Sequence, residues 1–139
     1  MAFKQIRGAL VKAATDWASA YPITLYTENR GGGDVPPTAM YVRLDIPRSG
    51  VFAGDFDGKK RTHMGNMAFV VSCPQNVATG ALDDLMDSLD TAFPVNRRMV
   101  SAGGPTVEIT GPVDPSVASI VGDRYMVTLF IPWRAGFYL

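Results

Sequence analysis

At 139 residues, 47% of them hydrophobic, the chain has the length of one ordinary domain and enough apolar surface for a core without disulfides or metals. Thirteen Lys plus Arg against thirteen Asp plus Glu give a net charge of zero, without the basic excess that phosphate neutralisation demands of a nucleic-acid binding module. The lone Cys73 excludes an internal disulfide, no stretch approaches the ~20 apolar residues of a membrane span, and MAFKQIRGAL lacks a secretory apolar core, so the expectation is a soluble protein made in the cytoplasm.

Phe3, Ile6, Leu10, Ala13 and Trp17 recur at steps of three and four, which predicts an amphipathic helix over 2–19. Lys4, Arg7 and Lys12 lie off that stripe, and Tyr21-Pro22 stops the helix. Residues 23–27 are β-branched and aromatic and predict a strand. Residues 29–37, with three glycines and two prolines, predict a loop. Over 39–46, Val42, Leu44 and Ile46 alternate with Tyr41, Arg43 and Asp45, the mark of a strand with one wet face. Pro47, Gly50, Gly54 and Gly58 punctuate 47–61. That segment is expected to be a protruding hairpin or a mobile loop, with Asp57-Gly58 as its turn and Lys59, Lys60 and Arg61 near its tip.

Residues 64–73 carry no charge, which suits a central strand covered on both sides. Asn76 is a candidate N-cap for a second helix over 77–93. Leu82, Leu85, Met86, Leu89 and Phe93 form its apolar stripe, Asp83, Asp87 and Asp90 share another face, and Pro94 ends it. Strands follow over 97–102, 105–110, 114–120 and 123–133. In the last, Tyr125, Val127, Leu129, Ile131 and Trp133 line one face, with Met126 and Phe130 on the other.

The order helix, strands, helix, strands, without a repeat or a linker, predicts one α+β domain over 1–139. Its expected core is a mostly antiparallel or mixed β-sheet with two helices packed on one face, plus a protruding hairpin arm. The last strand is apolar on both faces, so the face away from the helices needs a second cover, for which a neighbouring subunit is a candidate. A charged fraction of 19%, against the usual ~25%, leans the same way, towards an assembly protein.

No constellation of residues announces chemistry. His63 is the only histidine, so it lacks the companions a metal site needs, and a surface place at a strand start is expected for it. Cys73 lies ten residues on, along what reads as one strand, roughly 33 Å away if extended, so a Cys–His pair is not expected and a buried apolar role is. Asp83, Asp84, Asp87 and Asp90 read either as a solvated helix face or as an acidic docking surface. Gly31 to Gly33 and Gly103-Gly104 have neither the Lys-Ser/Thr sequel nor the spacing of phosphate loops. DFDGKKR at 55–61 lacks the later ligand positions of a calcium loop. No catalytic, cofactor or metal site is therefore assigned, and a small ligand-binding or enzymatic domain has no positive support.

The series of segments resembles the tail terminator proteins of long-tailed bacteriophages and related minor tail proteins. WASAYPITLYTEN ends the first helix, and a Pro-rich stretch leads into TAMYVRLDI. THMGNMAFVVSCP, the helix ATGALDDLMDSLDTAFP and the strand RYMVTLFIPWRA follow. The likeness covers nearly the whole chain and lies in order and spacing, with no single sharp motif. It implies a non-enzymatic virion protein at the head-proximal end of the tail, forming a homo-oligomeric ring, commonly of about six subunits. That ring would cap the tail tube, end its polymerisation and present a surface to a neck or head-completion protein. Another neck or minor tail role is the alternative. On this reading the candidate interface residues are Lys59, Lys60 and Arg61 on the arm, Asp83, Asp87 and Asp90 on the second helix, and Met126 and Phe130 on the last strand. The arm would contact a neighbouring subunit, the tube, or DNA passing through the lumen non-specifically, or else be a solvated hairpin. The first helix carries three basic residues against one acidic, and the second four aspartates and no base, so the two could set subunit order.

Overall fold

The computed structural model describes residues 2–27, 40–47, 50–53, 60–74, 79–100, 104–116, 118–122 and 124–138. In chain order these form α1 (Ala2–Ala20), β1 (Thr24–Tyr26), β2 (Tyr41–Asp45), β3 (Gly50–Ala53), β4 (Lys60–Pro74), α2 (Thr79–Ala92), β5 (Arg98–Val100), β6 (Thr106–Ile109), β7 (Asp114–Pro115), β8 (Ser119–Val121) and β9 (Arg124–Tyr138). Asn76, the expected N-cap of the second helix, lies outside the described residues.

Two long strands organise the sheet. β4 and β9 pair antiparallel through all fifteen residues, from Lys60 opposite Tyr138 to Pro74 opposite Arg124. Short strands then tile the two outer edges of this ribbon. β3 and β2 follow one another along β4, at 61–64 and 68–72. β8, β7 and β6 follow one another along β9, at 124–126, 129–130 and 133–136. β1 lies parallel to β2 and β5 antiparallel to β6, completing a mixed, mostly antiparallel sheet of nine strands.

The period of two in the sequence decides which face is buried. Val42 and Leu44 of β2, with Ile46 just beyond it, Met67, Phe69 and Val71 of β4, and Val127, Leu129, Ile131 and Trp133 of β9 all turn to one side and are buried. Both helices cover that side. α1 contributes Ile6, Leu10 and Trp17, and α2 contributes Leu82, Leu85 and Leu89, to one continuous cluster. Phe69 sits at its centre, with the Trp17 ring edge-on at 5.5 Å and the Phe93 ring at 5.8 Å. The Trp17 Nε1–H donates to Ser88 Oγ at 2.8 Å and so ties the helices together without leaving a buried donor unpaired. α1 also buries Ala9, Ala13, Ala14 and Ala18. These small side chains let the helix lie close over the sheet.

The link from α2 into β5 is held by two neighbouring residues. Asn96 adopts a left-handed backbone, φ 73°, and its N–H donates to Ile109 O at 2.8 Å. The Arg97 guanidinium donates to Ala92 O at the end of α2 and stands 5.0 Å over the Phe93 ring. A cation here answers the helix dipole as well as an orphan carbonyl. Arg97→Ala should cost about 1–2 kcal/mol in urea unfolding, with Arg97→Lys recovering part of it; a variant as stable as the wild type would show that the contact adds nothing.

Two expectations are corrected. The helical stripe puts Phe3 on the buried side of α1, yet its side chain is 50% exposed, because it stands in the first turn and meets the sheet through an edge-on contact with His63 at 4.6 Å. A surface place at a strand start is expected for His63, yet it is 2% exposed. β4 begins at Lys60, so His63 falls inside the strand, on the same face as Met67, with Ala135 opposite it. Burial holds its imidazole below its ordinary pKa of 6.5. The folded protein therefore prefers neutral His63, while the unfolded chain takes up a proton near pH 6.5. Stability should be full above that pH and fall as pH drops towards the folded-state pKa. Urea midpoints at pH 7.5 and 5.5 should draw together in His63→Gln; an unchanged pH slope would mean that other groups carry it.

The other differences are of length. β4 starts at Lys60 and β9 runs on to Tyr138, so Lys60 and Arg61 pair with Tyr138 and Phe137 as part of the sheet. The hairpin β3–β4 is present, and its turn, with Asp57, Gly58 and Lys59, lies outside the described residues. The strand expected over 114–120 is two short pieces, β7 and β8.

Candidate interaction surfaces

Among the described residues no three His, Cys, Asp or Glu side chains come together in a way that could hold a metal ion. Cys73 is buried on β4, and that burial pushes its thiol above the ordinary range although Arg124 nearby pulls it down. No helix among the described residues is long and apolar enough to cross a membrane. Three surfaces face outward among the described residues.

The first lies where the end of α1 meets α2. Asp83, Asp84, Asp87 and Asp90 are all exposed, and none is in an ion pair among the described residues. Asp83 and Asp90 project from α2, while Asp84 and Asp87 rim a cleft of about 430 Å³ against Trp17, Tyr21, Ser88 and Ala92. The Trp17 and Tyr21 rings stack at 5.8 Å with only 8° between their planes, forming one wall. Burial, and then the negative charge of Asp84, push the Tyr21 hydroxyl above its ordinary pKa of 10.0. The acidic residues were visible in the sequence; their pairing with an aromatic wall was not. The spacing of four between Trp17 and Tyr21 was the available signal, since it places both on one side of a helix.

The second surface lies at the opposite end of α1. Phe3, Lys4, Arg7, Ile46, Pro47 and Trp133 line a cleft of about 290 Å³. Arg7 Nη2 donates to Ile46 O at 3.0 Å, fixing α1 to the end of β2. Trp133 is buried in the floor, and its Nε1–H has no hydrogen-bond partner among the described residues.

The third is the face of the sheet turned away from the helices. Met126 and Phe130 stand there, opposite Ser72 and Ala68, and both are half-buried. Their neighbours are polar. Arg124 donates to Ser72 and lies 4.9 Å over the Tyr41 ring, Arg43 pairs with Asp45 at 3.2 Å, and Arg134 with Glu108 at 3.6 Å. Met64 and Val100 are exposed on this side, by 46% and 81%. The structure does not gather the expected interface residues into one site. Asp83, Asp87 and Asp90 belong to α2, and Met126 and Phe130 to the far side of the sheet. The side chains of Lys60 and Arg61, like Lys59 itself, lie outside the described residues.

A family model described as phage tail terminator protein matches residues 5–133. No curated protein matches the chain. Among solved structures, one chain carrying only a sequence identifier superposes with a TM-score of 0.81 at 23% identity, covering 100% of this chain and 99% of that one. At that identity the likeness shows the fold alone.

Proposed function

Because the chain belongs to the phage tail terminator protein family, which its sequence matches over residues 5–133, we propose that it forms a ring at the head-proximal end of a phage tail. The ring, of about six copies, caps the tail tube, ends its polymerisation and offers a surface to a neck or head-completion protein. The action is steric and interfacial, without chemistry. Family membership over most of the chain is the observation that carries this reading. The fold supports it with distinct surfaces at the two ends of α1 and a third on the bare side of the sheet. A closed ring needs such a subunit, because each copy must present one patch to the neighbour before it and another to the neighbour after it. Lys59, Lys60 and Arg61, repeated around the ring, would add a positive collar near any DNA passing through.

Light scattering across a concentration series, with and without tail tube protein, tests the reading. A species of about six times the 15.0 kDa chain mass is expected, alone or on the tube, together with shorter tubes when the protein is added during polymerisation. A monomer under every condition that also leaves tube length unaltered would overturn it.

A further inference from the structure

We propose that the start of α1 in one copy docks into the acidic cleft between α1 and α2 of a second copy, placing Phe3 and Lys4 against Asp84, Asp87 and the Trp17–Tyr21 wall. The inference rests on the ring reading and names a contact that would hold the ring.

Three observations point to this pairing. The half-exposed Phe3 ring and the exposed Lys4 both belong to the first turn of α1, where they form an apolar and cationic rim of the second cleft. The shallow cleft at the other end combines two exposed carboxylates with the stacked Trp17–Tyr21 pair. An ammonium suits that lining twice over, through the carboxylates and through the Tyr21 ring. Along the helix between the two ends, Lys12 is matched by Asp16 at 3.1 Å, while Arg7, near the same end as Lys4, donates to the Ile46 carbonyl. The remaining cations of α1, Lys4 and Arg7, stand near its start and are opposite in sign to the cleft at its end. The exposed pairs alone would be weak, and covering the Phe3 ring against the half-buried Tyr21 supplies the apolar burial that such a contact needs.

The geometry favours a second copy of the chain over an unrelated basic partner. The two surfaces lie at opposite ends of one 19-residue helix, about 28 Å long, so they are different patches of the same subunit. Contact between them is head-to-tail, the kind that closes into a ring when the rotation per copy allows. A net charge of zero leaves no overall repulsion between copies to overcome.

The test uses Lys4→Glu in one variant and Asp84→Lys with Asp87→Lys in another, all at exposed positions, with circular dichroism and urea midpoints to check folding. Self-association is read by light scattering with and without tail tube protein. Each variant alone is expected to associate roughly tenfold more weakly than wild type. An equal mixture is expected to recover to within roughly threefold, because the reversed end of one variant then meets the reversed cleft of the other. Either variant associating as wild type does, or a folded mixture that stays apart, overturns the contact; the ring reading survives that result if wild type still forms the ring. Wild type that stays monomeric with and without tube overturns both.

Discussion

Phe69→Ala should be the most damaging single truncation, costing about 3–5 kcal/mol of folding stability in urea or thermal unfolding. Phe69 is completely buried and touches both helices through Trp17 and Phe93, so its removal opens a cavity where the sheet and the two helices meet. None of those elements can relax into the space without giving up its other contacts. Of a typical domain stability of 5–15 kcal/mol, the loss would be a large share. Phe69→Leu, which keeps most of the volume, should cost much less. A Phe69→Ala variant within about 1 kcal/mol of wild type would mean that the helices repack freely over the sheet, contrary to a tightly fitted core.

Ala14→Leu should destabilise by about 1–3 kcal/mol, from the opposite cause. Ala14 is fully buried on α1 between the equally small Ala13 and Ala18. It belongs to the continuous buried core, so a longer side chain must lift the helix or force strained rotamers. Lifting α1 would also stretch the Trp17–Ser88 hydrogen bond that joins it to α2. Thr15→Leu, one position along on the exposed face, is the control. It should be neutral within about 0.5 kcal/mol, any change being a gain, since Leu is the better helix former. A loss at Thr15 as large as that at Ala14 would show that a bulky side chain harms α1 wherever it stands, and that packing over the sheet is not what the substitution reads.

The sequence foretold most of the architecture because its patterns are local. Leu82, Leu85, Leu89 and Phe93 fall at helical spacing, and all four are buried on or just beyond α2. Val127, Leu129, Ile131 and Trp133 alternate, and all four face the helices on β9. What was hidden depends on partners distant in sequence. Nothing around Lys60 or Phe137 signals that β4 and β9 extend until each other's edge is available, and the surface place expected of His63 follows from that shortened strand. The acidic cleft was half legible: its aspartates are plain on α2, but the aromatic wall comes from α1 and the turn after it, some 60 residues earlier. Phe3 shows the limit of periodicity at a helix end, where the stripe continues but the surface beneath it runs out.

The long ribbon also orders events in time. β9 is the partner of β4, β6, β7 and β8, so four strands await residues 124–138 before their pairing is complete. A ribosome makes roughly 5–20 residues per second, and until it has passed that point the emerging chain can form α1 and α2 but not the surface they rest on. If the chain forms the proposed ring, a copy would become competent to join it only late in its own synthesis. A copy interrupted before Arg124 would expose unpaired strand edges, so on the ring reading damaged copies would be excluded by their own failure to fold.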